Sequence, residues 1–454
     1  MGISNAFQCF HYYYWKCFIR YSSGIKITEK KDFNNLKIFE AEPRIGGRIH
    51  SVKFGNAFVD VGAAFCHGEK DNIVYSLVKD INVLRHSQFQ ISVYKSNGEF
   101  LDDAEHEKIE EFSNSISNSN NPSDECATAT SVEECLGIKT NNLIKTLEND
   151  EEKYKIIEMI RVATAKASSY NSALDLHDLA LRSLFKLCSG DFYMNWNGQG
   201  YKTILNVLME KFPNPNQSLP IDDKFNLHKK IKTIKWDNQE RPSVITVDGE
   251  THEADHIIFT PFLGVLKANH LELFDPDLPE DKVDAINKMG YGAIMKIFLL
   301  FPEKWWPNNA FIKTIWKHND EETLRKKNLE WLISLMGVTT AENNPKVLIA
   351  WYLGKYLPII ETFSDEKVLR GQSYVLDKLF SRHFNVSQPH QILRTKWLNN
   401  PNFLGTYSYE SVVENPNRTI YQEKLERPLT NKNNKPTILF AGEATHPYYF
   451  SIVH

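Results

Sequence analysis

Short runs in which apolar and polar residues alternate are spread along the chain. Residues 224–227, 230–236 and 243–247 repeat with a period of two, which predicts strands with one covered face. Asp248-Gly249 then turns the chain into a further run at 253–260. The stretch 289–301 predicts another strand, with Lys296 set between Met295 and Ile297. Successive side chains point to opposite faces, so Lys296 faces away from both. A lysine at a strand centre is costly to bury unless its ammonium finds partners or loses its proton. The run 437–441 is almost unbroken in apolar residues and predicts a buried parallel strand.

Helical spacing appears between these runs. Residues 102–119 carry it and end in the linker-like stretch 118–123. Ser131-Val132-Glu133-Glu134 fits a capping box that opens a helix towards Leu147. Residues 151–167 predict an amphipathic helix, with Tyr154, Ile157, Ile160 and Val162 or Ala163 on its inner side. The chain turns at 195–202 before another helix at 203–211. Strands and helices interleave, so the expected class is α/β.

Composition narrows the function. A chain of 454 residues with 42% hydrophobic residues can bury a large core and has room for two domains. Its net charge of −4, with both signs mixed throughout, excludes the basic footprint of a nucleic-acid binder. No apolar run is long enough to span a bilayer. Residues 7–19 are aromatic but interrupted by His11 and Lys16, and they lack a small-residue cleavage site, so no signal peptide is expected. Cys9, Cys17, Cys66, Cys126, Cys135 and Cys188 have neither metal-ligand nor redox spacing and make no disulfide framework. A reducing, cytoplasmic setting is the expectation, with secretion left open. The sequons at Asn216, Asn385 and Asn417 matter only in a secreted chain.

The chemistry concentrates in Ile38-Phe39-Glu40-Ala41-Glu42-Pro43-Arg44-Ile45-Gly46-Gly47-Arg48. A strand ends in Glu40, and a carboxylate at that point of a dinucleotide-binding unit accepts ribose hydroxyls. Gly46 and Gly47 allow a sharp turn and close approach to a ligand. Arg44 and Arg48 bring forked donors and fixed charge. This string resembles the signature of the flavin-containing amine oxidases, the family of monoamine and polyamine oxidases. Val59-Asp60-Val61-Gly62-Ala63-Ala64-Phe65-Cys66-His67-Gly68 continues it. The latter is similar to the loop that runs from FAD to substrate in spermine and acetylpolyamine oxidases, which places Gly62 and Ala63 at the cofactor.

The resemblance assigns further residues. His67 matches the His-Gly of the animal spermine and acetylpolyamine oxidases and is implied to face substrate. Ile231 occupies the strand position whose backbone meets adenine. Residues 253–267 are similar to the strand that re-enters the nucleotide sheet. Lys296 coincides with the active-site lysine beside flavin N5. Trp397 follows the Arg394-Thr395-Lys396 strand, and Gly405-Thr406-Tyr407-Ser408-Tyr409 resembles the next turn. Gly442 and Glu443 close the 437–447 motif, where the carboxylate would meet ribityl hydroxyls. Trp397, Tyr407, Tyr448, Tyr449 and Phe450 are candidate aromatic walls. Ala64, Phe65, Leu404 and Ile452 depart from the family's usual residues.

The expected architecture is an incomplete, Rossmann-like FAD-binding domain with an inserted α+β substrate domain. The first would comprise 33–90, 215–285 and 390–454, and the second 91–214 and 286–389, with 1–32 unmatched. The implied activity is FAD-dependent oxidation of spermine or acetylated polyamines by molecular oxygen. Its products are an aldehyde, a shorter amine and hydrogen peroxide, and no metal is involved. Upstream of Glu40 the only glycines are Gly2 and Gly24, so no Gly-x-Gly-x-x-Gly turn precedes it. The glycine-rich helix that follows the last motif in relatives is likewise not in this sequence. Weak FAD binding is therefore expected, and a degenerate, inactive relative is the alternative.

Overall fold

The structure is a computed structural model that describes residues 36–117, 125–145, 148–149, 172–183, 185–237, 241–412 and 420–447. The expectations for residues 7–19, the helix at 151–167, Asn417, Tyr448, Tyr449, Phe450 and Ile452 lie outside the described residues.

A six-stranded sheet carries the largest core. Its order is Gln391–Arg394, Met295–Leu300, Val347–Tyr352, Leu335–Thr340, Ala310–Ile315 and Gln90–Lys95. The pairs are antiparallel except the last, which is parallel. The expected alternation at 295–300 sorts its side chains between two cores. Met295, Ile297 and Leu299 join Ala350, Tyr352, Val375 and Phe380 on one face. Phe298 packs on the other face with Phe54 and Val59 of the Ser51–Phe54 and Ala57–Asp60 hairpin and with Val61 just beyond it. Lys296 shares the parity of Phe298, so it points at the end of that hairpin. The Asp365–Phe380 helix covers the first face. Ser364 caps it by accepting from the Lys367 amide at 3.2 Å.

A second core surrounds parallel pairs. Ile257–Phe259 pairs with Ile438–Phe440, and Ile38–Phe39 with Phe225–Asn226. Phe259, Leu263, Leu266, Leu425, Ile438 and Phe440 pack together there. The expected run 253–260 divides in two. Thr251–Glu253 pairs antiparallel with Ser243–Ile245, and the chain then changes sheets to pair Ile257–Phe259 with Ile438–Phe440. The run 289–301 divides similarly, because Gly290–Gly292 pairs with Tyr407–Tyr409 instead.

The capping box forms as read. The Glu134 amide donates to Ser131 Oγ at 3.0 Å, and the Ser131 amide to Glu134 Oε2 at 3.3 Å, opening the Val132–Lys145 helix. The cysteine expectation does not hold. Cys126 and Cys135 form a disulfide with their Cα atoms 5.1 Å apart. Their nine-residue separation spans the cap and first turn of this helix, which brings them together. Cysteine usage therefore gives no support for a reducing setting. Cys66 and Cys188 are buried and stand outside that disulfide. The described residues contain no helix long and apolar enough to cross a membrane.

Candidate functional site

Lys296 is 7% exposed, on a strand whose other residues are apolar. Its ammonium donates to Asp60 O at 2.9 Å and Gly62 O at 2.5 Å, and lies 4.9 Å from the Trp351 ring centre. Burial pushes its pKa down to about 8, and the nearby Asp60 carboxylate acts in the opposite direction. Asp60 is itself pushed up to about 6 by burial, against hydrogen bonds from Ser51 Oγ and the Tyr201 amide. Two coupled groups of opposite charge thus sit under one end of the hairpin.

Gly62 is demanded by packing. A Cβ there would lie 1.8 Å from Arg48 O, an impossible contact, and the neighbouring Ala63 amide donates to that same carbonyl at 3.0 Å. The 59–68 stretch is thereby fastened to the Gly-Gly loop. In that loop Gly46 and Gly47 have φ of +102° and +57°. Arg44 folds back on it, donating to Ile45 O at 3.2 Å, Gly47 O at 2.8 Å and Ile49 O at 3.3 Å. Arg48 instead reaches outwards. It donates to Thr406 O, pairs with Glu443 Oε2 at 3.3 Å and lies over the Phe262 ring at 4.4 Å. Glu443 Oε1 accepts the Ser408 amide at 2.7 Å and also its hydroxyl.

One cleft runs along this surface. Gly46, Gly47, Arg48, Phe262, Gly442 and Glu443 line it, with Thr260 and Phe440 at the ends of the parallel strands. Glu40, 6% exposed, accepts the Glu42 amide at 3.0 Å, and its own carbonyl receives the Lys229 amide at 2.9 Å. That bond brings the start of the Ile231–Lys235 strand, and hence Ile231, next to Glu40. Trp397, 8% exposed, stands edge-on to Phe403 at 4.8 Å. Phe403 stacks on Phe262 at 5.0 Å, so Trp397 connects to Arg48 through two aromatic rings.

His67 occupies an aromatic corner. Its ring lies 4.2 Å from Phe192 and within 6.3 Å of Phe65 and Tyr193. Nδ1 meets Phe192 O at 2.5 Å, and a carbonyl can only accept, so Nδ1 carries the proton. Burial pushes the imidazole pKa down to about 4. The Phe192 bond opposes that shift, and the Lys296 charge adds to it. His67 is therefore neutral near pH 7, with Nε2 as an acceptor.

Residues 31–454 match the model of the flavin containing amine oxidoreductase family. The chain belongs to that family. The peroxisomal N(1)-acetyl-spermine/spermidine oxidase of Bos taurus is 28% identical, over 93% of this chain and 87% of that protein. The Homo sapiens protein of the same name is also 28% identical, with the same coverage. The probable polyamine oxidase 5 of Arabidopsis thaliana is 24% identical over 94% of this chain and 92% of its own length. A match of this extent supports a flavin-dependent amine oxidoreductase and does not favour the degenerate alternative.

As a flavin-dependent amine oxidoreductase, the chain should present a cleft for its cofactor, and the described residues fit one. Positive-φ glycines at 46, 47 and 442 bring backbone close to a single groove that also holds one half-buried guanidinium and one buried carboxylate. That donor set suits a ligand with both anionic and hydroxyl groups. Several site residues were not evident from sequence. Asp60 read only as part of a motif, and Trp351 faces Lys296 through strand register. Phe262 and Phe403 meet by tertiary packing, for which no local pattern exists.

Proposed function

We propose that this oxidoreductase binds FAD and oxidises polyamines, spermine or acetylated polyamines, to an aldehyde and a shorter amine. Molecular oxygen would be the electron acceptor and hydrogen peroxide the second product. The observation that carries this reading is the buried Lys296 ammonium, held by the Gly62 carbonyl on the stretch that leads to His67. Relatives named as N(1)-acetyl-spermine/spermidine oxidases support the substrate class.

The flavin, when bound, supplies the hydride-accepting ring and the redox chemistry. Glu40 would take the ribose hydroxyls, and the 46–48 backbone with Arg48 the anionic centre. Ile231 would face the adenine, and Gly442 and Glu443 the ribityl chain. Arg44 would support the anionic centre from behind, through its bonds to the loop carbonyls. Lys296 would hold a proton site beside the reacting centre, and its lowered pKa lets it donate or retain that proton near neutral pH. The amine must be neutral to react, and the aromatic corner of Phe65, Phe192 and Tyr193 favours loss of its charge by excluding water. His67 Nε2 would orient the substrate by accepting its N–H, and Trp397 would wall the opposite side.

The proposed division assigns 33–90, 215–285 and 390–454 to a cofactor domain, and 91–214 and 286–389 to a substrate domain. It is supported at Arg48, where Phe262, Thr406 and Glu443 from the second and third segments meet the first. The test is spectroscopic. Purified protein, reconstituted with FAD, should show flavin absorbance that bleaches anaerobically with N1-acetylspermine or spermine, and should release peroxide in air. Retained flavin that no polyamine reduces would overturn the substrate assignment. Failure to take up flavin at all would overturn the cofactor assignment.

A further inference from the structure

Trp397 opens a loop, residues 397–405, that crosses between the six-stranded sheet and the cofactor cleft. Its far end is a tight turn in which Leu404 and Gly405 have φ of +55° and +140°, and the Gly405 amide returns to Trp397 O at 3.0 Å. The middle is tied to the Gly-Gly motif. Asn400 Nδ2 and Asn402 Nδ2 both donate to Glu42 Oε1, at 3.2 and 2.7 Å. The near end is held by a residue from a different element.

Glu361 lies in the Leu357–Thr362 helix and is 4% exposed. Its two oxygens are divided between consecutive amides of the loop. Oε1 accepts from Leu398 N at 3.0 Å, and Oε2 from Asn399 N at 2.7 Å. The adjoining segment is gripped in reverse. Arg394, its side chain 3% exposed, donates to Ile360 O at 2.8 Å and to Phe363 O, and pairs with Asp365 at 2.5 Å. A buried carboxylate is expensive, and burial does raise the Glu361 pKa against the loop amides and the Lys396 charge. Packing alone would be served more cheaply by an apolar residue, so this bidentate grip is specific to the conformation of the two residues after Trp397.

We propose that Glu361 is the positioning residue for Trp397. By fixing the Leu398 and Asn399 amides, it sets the direction in which the Trp397 ring leaves the strand and meets Phe403. This rests on the reading that Trp397 walls the reacting site. Glu361 would touch neither cofactor nor substrate and would act only through the tryptophan.

Glu361→Gln is the informative change, because its amide nitrogen cannot accept and would face one loop N–H. Hydrogen exchange of the peptide spanning 395–405 should accelerate at the Leu398 and Asn399 amides. With N1-acetylspermine as probe, kcat should fall roughly tenfold while KM moves less than about twofold, as expected when a wall shifts by a fraction of an ångström. Glu361→Asp, which keeps both oxygens, should recover part of that loss, and it carries the test if the glutamine variant does not fold. Trp397→Phe combined with Glu361→Gln should be no slower than Trp397→Phe alone. Faster exchange with unchanged kcat, or fully additive losses in the double variant, would overturn the proposal. Unchanged kcat in Trp397→Phe alone would instead sink the reading of Trp397 itself, and the positioning role with it.

Discussion

The Lys296 ammonium donates to the carbonyl of Gly62 at 2.5 Å across 234 residues of sequence. The same glycine is pressed so closely on Arg48 O that no side chain fits. One residue thus ties the Met295–Leu300 strand to the Gly-Gly loop, and the lysine is 7% exposed. If its ammonium serves the reaction, Lys296→Met should retain flavin yet slow either anaerobic reduction by amine or reoxidation by oxygen at least tenfold. Stopped-flow absorbance separates the two half-reactions. Unchanged rates in both would leave Lys296 a packing residue.

The buried lysine should also mark the stability curve. Its pKa is about 8 in the folded chain and 10.5 when free. Between those values the unfolded chain holds a proton that the folded chain has released, so stability rises with pH across this window. Below about pH 8 both states are protonated, and the cost of burying the charge is fully in place. The shift corresponds to about 3 kcal/mol. Denaturant titrations of wild type and Lys296→Met should therefore differ by an amount that moves in favour of wild type by about that much between pH 8 and pH 10.5. A difference independent of pH would show that the ammonium is better solvated than its burial implies.

Two glycines offer a direct contrast. Gly62→Ala would drive a methyl into Arg48 O, so it should cost more than about 3 kcal/mol or abolish folding. Gly137 sits within the Val132–Lys145 helix with nothing within 4 Å of its missing Cβ. Gly137→Ala should stabilise by roughly 0.5–1 kcal/mol through helix propensity. Thermal melts of both variants decide the matter.

Much of this was legible because local rules operated locally. The capping box at Ser131 and the parity of Lys296 each need only a few neighbouring residues. Gly62 was read as a cofactor contact, whereas its immediate constraint is backbone packing against Arg48. Arg44 and Arg48 looked equivalent in the motif, but Arg44 donates to the loop's own carbonyls whereas Arg48 donates to Thr406 O and pairs with Glu443. That difference depends on where Glu443 and Thr406 arrive from the distant end of the chain. The Cys126–Cys135 disulfide was missed because spacing alone does not reveal the turn that brings the pair together.

The divergence of the two arginines is testable. Arg44 donates to three loop carbonyls, so Arg44→Ala should lower stability by about 1–3 kcal/mol. Arg48→Ala leaves those bonds intact but removes the guanidinium from the cleft beside Glu443. It should weaken flavin affinity by about tenfold or more, equivalent to at least one charge-assisted hydrogen bond. Flavin titration by fluorescence quenching reads the second effect, and denaturant melts read the first. Equal flavin affinities for wild type and Arg48→Ala would remove Arg48 from the cofactor site.

His67 provides the last test, because its environment fixes its protonation state. Burial holds its pKa near 4, below the 6.5 of a free imidazole, and the Lys296 charge favours the neutral ring further. Lowering the pH from about 8 to about 5 should therefore leave His67 uncharged, with Nδ1–H on the Phe192 carbonyl and Nε2 free to accept. If that nitrogen orients the substrate, His67→Ala should lower kcat/KM for N1-acetylspermine by roughly 10–100-fold at every pH in this range. The apparent pKa of any acid limb should be the same in wild type and variant, since His67 does not titrate there. A limb near pH 6.5 that disappears in His67→Ala would mean that the imidazole does gain its proton during the approach to the reaction. The Phe192 bond and the aromatic corner would then not be enough to keep it neutral, and its role would change from acceptor to acid.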